Sequence, residues 1–172
     1  PKALCELVPG LPRDIPAAIL IVQHMPIGFT SSLARRLAQL SQVEVREASA
    51  GDRLVIGQAL VAPGNHHLVV SGTDEVCLNQ DPTRNGVRPS IDSTMESVAA
   101  NRACHYIGVV LTGMGSDGKE GAAAIKKAGG NVIVQDEPTS VIYGMPRSVV
   151  DGGYADKILP LPQIAQEIVE MC

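Results

Sequence analysis

The sequence predicts a doubly wound α/β domain, in which a mostly parallel sheet is flanked by helices. Short apolar runs of strand length alternate with segments of helical periodicity in the first and last thirds of the chain. The middle of the chain holds short strand-like runs at 58–62, 66–71 and 76–80, separated by clusters of turn residues, which favours an antiparallel hairpin region there. A length of 172 residues fits one domain, residues 1–172.

The composition excludes several classes of protein. Hydrophobic residues make up 45% and charged residues 19% of the chain, which is typical of a globular domain and not of a disordered one. Aromatic residues amount to 2% and the net charge is -4, so no nucleic-acid partner is expected. No apolar run reaches the ~18 residues of a membrane span, so no membrane insertion is expected. The four cysteines form no C-x-x-C pair, which favours free thiols in a cytoplasmic protein over a zinc site.

The first third of the chain predicts a helix, a strand, a second helix and a second strand. Four apolar residues near the N-terminus share one helix face: Ala3, Leu4, Leu7 and Val8. Residues 17–23 form a continuous apolar run, suited to a strand covered on both faces. A helix is expected to begin at Thr30 or Ser31, and a strand follows at 43–46. The helix's core face carries apolar residues at spacings of four and three: Leu33, Leu37 and Leu40.

The N-terminal helix lacks the strand that a doubly wound fold places before it. In such folds the turn between a strand and the next helix is where ligands and catalytic groups gather. We therefore expect a first strand and its turn to precede Pro1 in the complete domain.

The remaining elements follow from the same patterns. Strands are predicted at 58–62, 66–71, 76–80, 106–111, 131–135 and 155–159. Helices are predicted from Ser90, over 119–128, near 145–150 and from Pro162. The helix from Ser90 is expected to bury Ile91, Met95 and Val98. Residues 81–89 form a polar loop and residues 113–118 a glycine-rich turn.

His24 is the first candidate for chemistry. It follows the first apolar run directly, so it lies at the carboxyl edge of the predicted sheet and can act as a general base near neutral pH. Its position alone fits equally a histidine that bonds a backbone carbonyl at a strand end. His66, His67 and His105 are expected to be structural, because no carboxylate or cysteine lies at ligand spacing from them.

The segment from Gly113 to Gly118 supports three interpretations. It spells G-x-G-x-x-G between a strand and a helix, and Asp136 lies where a dinucleotide fold places its ribose-binding acid. Its glycines also suit an anion-binding turn that holds an oxyanion. Alternatively, Asp117 is the N-cap of the following helix, with Glu120 completing a capping box.

The dinucleotide interpretation is the weakest on position. The fingerprint normally belongs to the first strand–helix–strand unit, whereas at least two strands and two helices are predicted before Gly113. Too little chain follows Asp136 for the rest of such a fold.

His24 and Asp117 both lie at carboxyl ends of predicted parallel strands, so they can face each other as a base and its orienting acid. The visible serines are poor nucleophile candidates: Ser31, Ser32 and Ser90 fall at helix starts, and Ser116 neighbours Asp117.

Several motifs, in order along the chain, give the sequence a family resemblance. They are residues 21–26 (IVQHMP), 61–64 (VAPG), 88–92 (RPSID), 111–118 (LTGMGSDG), 135–137 (QDE) and 144–147 (GMPR). With these segments the chain resembles the catalytic domain of the chemotaxis protein-glutamate methylesterases (CheB type) over essentially its whole length.

The resemblance implies a doubly wound esterase with a Ser-His-Asp triad and no metal or organic cofactor. His24 matches the family's catalytic histidine, Asp117 its aspartate, and Met114 the residue whose backbone N–H helps to hold the oxyanion. The family's serine lies in a Gly-x-Ser-Thr-Gly-Gly turn, which would precede Pro1, and a receiver domain usually precedes the esterase domain. The implied substrates are glutamate γ-methyl esters, and in some members glutamines, on the cytoplasmic helices of methylated chemoreceptors.

Three arginines are candidates for contact with an acidic receptor helix: Arg84, Arg88 and Arg147. Two other functions stay open on the residues alone. One is a nucleotide-binding domain that uses the loop from Gly113 to Gly118. The other is a non-catalytic interaction domain.

Overall fold

The computed structural model describes residues 1–101 and 104–172, and its elements follow the predicted order. The helices are α1 (Lys2–Leu7), α2 (Phe29–Leu40), α3 (Ile91–Ala100), α4 (Lys119–Lys127), α5 (Met145–Asp151) and α6 (Leu161–Met171). The strands are β1 (Ile19–Ile21), β2 (Glu44–Glu47), β3 (Gln58–Val61), β4 (His67–Ser71), β5 (Glu75–Asn79), β6 (Ile107–Val110), β7 (Asn131–Gln135) and β8 (Lys157–Leu159). A short 3-10 helix, Val8–Gly10, follows α1.

Two three-stranded parallel sheets and one hairpin form the β structure of the described residues. The strand orders are β1-β3-β2 and β6-β7-β8, and every pairing within them is parallel. Strands β4 and β5 form the antiparallel hairpin. The predicted α/β fold, with parallel strands and an antiparallel insertion in the middle of the chain, is therefore confirmed.

One strand was assigned to the wrong part of this fold. Residues 58–62 were expected in the hairpin region, but β3 is the central strand of the first parallel sheet. The reason is visible in its burial: Ala59, Leu60 and Val61 are at most 1% exposed, as in a strand covered on both faces. The turn residues that follow β3 connect it to the hairpin without pairing it to β4.

Helices cover both faces of the sheets. Ile133 of β7 packs with α1, α2 and α6 in one aliphatic cluster, which also takes in Ile21 and Val61 from the other parallel sheet. Its neighbours Val132 and Val134 pack with α3, α4 and α5 in a second cluster. Because successive strand residues face opposite ways, this alternation places helices on either side of β7.

Helix α2 differs from its prediction in two details. It begins at Phe29, one residue earlier than expected, after Gly28 with a φ of 84°. Leu33 and Leu37 are buried as predicted, but Leu40 is 49% exposed. Leu40 is the last residue of the helix and lies beyond its buried stripe, which ends at Leu37.

Across the described chain, no helix combines the length and the apolarity that a bilayer crossing requires.

Candidate active site

The two candidate catalytic side chains meet at the carboxyl ends of strands from different sheets. His24 follows β1, and Asp117 follows β6. Nε2 of His24 lies 2.7 Å from Oδ2 of Asp117, although 93 residues separate them in the sequence. The Asp117 side chain is 3% exposed, whereas that of His24 is 25% exposed. The acid is therefore shielded from water while the imidazole reaches the surface.

The Asp117 carboxylate is held by three donors at the start of α3. Oδ1 accepts hydrogen bonds from the Ser90 hydroxyl at 2.7 Å and from the Asp92 N–H at 3.1 Å. Oδ2 accepts a further bond from the Ile91 N–H at 2.7 Å. The N-terminus of a helix is a favourable site for a negative charge, because its first N–H groups have no partner inside the helix.

These contacts fix the charge of the acid. Burial alone raises the pKa of Asp117, but the hydrogen bonds from His24, Ile91, Ser90 and Asp92 outweigh it and lower the pKa to about 2. Asp117 is therefore ionised at neutral pH.

The ionised acid also sets the tautomer of the imidazole. A carboxylate can only accept hydrogen bonds, so Nε2 of His24 carries the proton and donates it to Asp117. In the neutral ring Nδ1 then bears the free lone pair. Within the described part of the chain, Nδ1 makes no hydrogen bond, which leaves it available to accept a proton from a substrate or a nucleophile.

The N-cap interpretation of Asp117 is wrong. The N-cap of α4 is Gly118, which has a φ of 101°, and no side chain of the same segment caps that helix. The Asp117 carboxylate turns to the first turn of α3 instead, 25 to 27 residues away in the sequence. Glu120 lies in the first turn of α4, as expected, but forms no capping box with Asp117.

The glycine-rich turn that contains Asp117 also holds a backbone donor that is unpaired among the described residues. Gly113 packs against α5 so closely that a Cβ there would lie 2.5 Å from Cε of Met145. The carbonyl of Gly113 accepts the N–H groups of Gly144 and Met145. Met114 is 77% exposed, and its N–H makes no hydrogen bond to any residue in the described ranges. That N–H is therefore free to bind an external oxygen atom.

A cleft of about 260 Å³ opens beside His24. Two short segments form its walls: His24, Met25 and Pro26 on one side, and Gly86, Val87 and Arg88 on the other. Its size suits a single extended side chain.

Arg88 holds one wall of the cleft in place. Its Nε and Nη2 donate to Oδ1 of Asn65, at 3.1 and 2.7 Å. Nη1 donates to the carbonyls of Gln80 and Asp81, each at 2.9 Å. The guanidinium thus fastens the loop that contains Gly86 to the turn before β4, while still lining the cleft.

The other two candidate arginines do not line this cleft. Arg84 pairs with Glu96 through both of its terminal nitrogens. Arg147 lies on the exposed side of α5, where its Nε is 3.6 Å from Oδ2 of Asp151. Of the three arginines, only Arg88 is brought next to His24.

The proposed ribose-binding acid has partners of its own. Asp136 accepts hydrogen bonds from the N–H and the hydroxyl of Thr139, within the loop that follows β7.

Among the histidines expected to be structural, His67 is buried and its Nε2 lies 3.1 Å from the Pro82 carbonyl. In residues 1–101 and 104–172, no group of three or more His, Cys, Asp and Glu side chains is arranged to hold a metal ion.

Two residues of the site were missed in the sequence. Ser90 was identified only as the cap of α3, which it is, but its hydroxyl also donates to Asp117. Asp92 was not singled out, yet it is 1% exposed and binds the first turn of α4. The available signal was the position of each acid at a helix start: Asp92 lies in the first turn of α3, and Asp117 directly precedes Gly118, the N-cap of α4.

Comparison with known proteins identifies the family. The family model described as CheB methylesterase matches residues 1–168. A protein-glutamate methylesterase/protein-glutamine glutaminase of Symbiobacterium thermophilum is 51% identical, over 98% of this chain and 46% of its own length. A protein of the same description from Pyrococcus horikoshii is 44% identical, over 99% of this chain and 47% of its own. The chain thus spans about half the length of these curated relatives.

A solved structure has the same fold. The crystal structure of the Thermotoga maritima CheB methylesterase catalytic domain superposes with a TM-score of 0.97 at 41% identity, covering 99% of this chain and 92% of that one. The family model, the two relatives and this structure all match nearly the whole chain, so the resemblance seen in its motifs is confirmed. The chain belongs to the CheB methylesterase family.

Proposed function

We propose that this chain is the catalytic domain of an enzyme that hydrolyses glutamate γ-methyl esters on the cytoplasmic helices of chemoreceptors and deamidates glutamines there. The observation that carries the proposal is the 2.7 Å contact between His24 and a buried, ionised Asp117. A histidine oriented by such an acid is the base of a Ser-His-Asp hydrolase. The names of the relatives supply the substrate class.

In this mechanism Nδ1 of His24 accepts the proton of a serine hydroxyl as the serine oxygen attacks the ester carbonyl. The tetrahedral intermediate collapses, the imidazolium returns its proton to the leaving methoxide, and methanol departs. His24 next takes a proton from water as the water oxygen attacks the acyl-enzyme. The imidazolium then returns that proton to the departing serine oxygen, and the glutamate carboxylate is released. Asp117 stays ionised throughout, holds the ring tautomer and stabilises the imidazolium.

The serine comes, on this proposal, from sequence ahead of Pro1. No serine of the described residues is hydrogen-bonded to His24: the hydroxyl of Ser31 bonds the Gly28 carbonyl, and that of Ser90 bonds Asp117. The free Nδ1 of His24 is the atom such a serine would meet. A receiver domain in the remainder of the full-length protein would regulate access to the site.

Met114 would supply an oxyanion donor. Its N–H has no partner within the described chain, and it lies three residues before Asp117 in the same turn. A backbone donor that is already in place stabilises the negative charge that develops on the carbonyl oxygen without reorganisation. The open cleft beside His24 would let the end of a glutamate side chain approach the imidazole.

Family membership favours this function over a nucleotide-binding domain or a non-catalytic interaction domain. The test is methanol release from methylated chemoreceptor by the full-length protein. Serine-dependent release that is lost with His24→Ala supports the proposal. Absence of release by the wild-type protein, together with binding of NAD at the loop from Gly113 to Gly118, would replace it with the nucleotide-binding alternative.

A further inference from the structure

The first turns of α3 and α4 are each capped by an acid from the other helix's start. Asp117, just before α4, accepts the N–H groups of Ile91 and Asp92 in α3. Asp92, in the first turn of α3, in return caps the start of α4 with one carboxylate oxygen. Its Oδ1 accepts the N–H of Gly118 at 2.9 Å and that of Gly121 at 2.8 Å, both at the start of α4.

The start of α4 depends on Asp92 for this capping. No side chain from its own segment caps the helix, whose N-cap is Gly118. The first N–H groups of any helix need partners outside it, and Asp92 satisfies two of them. Asp117 is the residue directly before Gly118, so the carboxylate that fixes Gly118 also fixes the backbone next to Asp117.

Helices α3 and α4 are closely packed where these reciprocal hydrogen bonds form. A Cβ on Gly121 would lie 2.6 Å from Cβ of Met95 and 3.2 Å from Cα of Asp92, so only glycine fits there. Asp92 is 1% exposed, and its Oδ2 accepts the Asn85 side-chain amide at 3.0 Å. Both oxygens of Asp92 are therefore held, and the side chain has no room to move.

The pKa values of the two acids are shifted in opposite directions. Burial raises the pKa of Asp92, and the nearby negative charge of Asp117 raises it further. The hydrogen bonds from the N–H groups of Gly121 and Gly118 lower the pKa, but they do not offset the increase. Asp117 has the lower pKa and faces His24. The charge that orients the imidazole is thus on Asp117, while Asp92 contributes hydrogen-bond acceptors to the backbone.

We propose that Asp92 is a positioning residue for the His24–Asp117 pair, because its carboxylate anchors Gly118 and Gly121 and so holds Asp117 in line with the imidazole. The effect on rate rests on the proposed function, whereas the effect on the hydrogen bond does not. Every contact that Asp117 itself makes survives substitution of the Asp92 side chain, since residue 92 contributes to it only a backbone N–H. Substitution therefore removes the anchor of α4 and the bond from Asn85, while it leaves the partners of Asp117 in place.

The test uses the full-length protein with ¹⁵N-labelled histidine. In the wild type, the proton on Nε2 of His24 should give a downfield NMR signal protected by its bond to Asp117. In Asp92→Ala that proton should exchange with water at least about tenfold faster, and kcat for methanol release should fall on the order of 10- to 100-fold with KM unchanged. Asp92→Asn keeps an oxygen acceptor of the same reach, so it should restore both readouts to near wild-type values.

Ser97→Ala is the matched control. Ser97 lies on the same helix, and its hydroxyl accepts from the Val70 N–H and donates to the Thr94 carbonyl, so the variant loses two part-buried hydrogen bonds that do not involve Asp117. It should lower stability without changing the His24 signal. If Asp92→Ala does not fold, Asp92→Ser, whose hydroxyl is too short to reach α4, takes its place with the same expected loss. The proposal is overturned if the Nε2 proton of His24 exchanges at the wild-type rate in Asp92→Ala or in Asp92→Ser. It is also overturned if Ser97→Ala accelerates that exchange as much as the Asp92 substitution does.

A protein that shows the Asp92-dependent signal but releases no methanol would contradict the proposed function and leave the positioning role standing. The two claims therefore fail separately.

Discussion

Oδ2 of Asp117 is shared between Nε2 of His24 and the N–H of Ile91, each at 2.7 Å. One carboxylate oxygen thus connects the histidine after β1 to the first turn of α3. Because the other oxygen is bound to Ser90 and Asp92, the carboxylate cannot rotate without breaking several hydrogen bonds. The orientation of the imidazole is in this way determined by the packing of α3 against α4.

His24→Ala should abolish most of the esterase activity of the full-length protein. A positioned general base contributes typically about 10²- to 10⁴-fold to the rate, and the variant has no side chain at this position to take the proton of the attacking hydroxyl. Methanol release from methylated receptor measures the loss. A variant with near-normal turnover would show that His24 is structural.

Asp117 should make stability depend on pH in the acid range. Its pKa is lowered in the fold from 3.8 to about 2, so its contribution is fully present above the unfolded value and is lost as the pH falls from about 4 towards 2. A shift of this size corresponds to about 2 kcal/mol of unfolding free energy.

Urea unfolding of the wild type and of Asp117→Asn between pH 2 and pH 6 measures this contribution. The difference in unfolding free energy should be constant at the upper end of the range and shrink as the pH approaches 2. A difference that stays constant throughout would mean that Asp117 is not stabilised as a carboxylate.

Gly121→Ala should destabilise the domain more than an ordinary glycine replacement. The added Cβ would meet Cβ of Met95 at 2.6 Å, so α3 and α4 must separate, at a cost of roughly 1–3 kcal/mol. Gly72→Ala is the control, since nothing lies within 4 Å of its Cβ and only its φ of 61° opposes the change. Urea unfolding of both variants compares them, and equal losses would argue against the tight contact between the helices.

Local patterns predicted the elements whose formation is local. Strand β7 lies at Asn131–Gln135, as predicted, because a short apolar run stands between a glycine pair and Asp136. The hairpin of β4 and β5 follows equally from its turn residues. The carboxyl-end rule for parallel sheets also predicted that His24 and Asp117 would be neighbours, which they are.

Partners that are distant in the sequence were the ones that patterns missed. A capping box is recognised by residues three apart, so Asp117 was weighed as the cap of its own helix, whereas its partners are in α3. The reciprocal contact of Asp92 with Gly118 and Gly121 spans 26 and 29 residues and leaves no local signature. The place of β3 in the parallel sheet likewise depends on strands far from it in the chain.

The rate of methanol release by Asp117→Asn tests the central claim most directly. Asparagine cannot hold the imidazole as a carboxylate does, and the corresponding change in a serine protease costs about 10⁴ in rate. Asp156→Asn is the control. Asp156, like Asp117, binds a basic side chain and a backbone N–H, those of Lys126 and Val132, and its pKa is also lowered, but its partners do not include His24. With methylated receptor as substrate and the full-length protein as enzyme, Asp117→Asn should lose activity by orders of magnitude while Asp156→Asn keeps it. A loss of less than tenfold in Asp117→Asn, at a folded fraction equal to that of the control, would contradict the account.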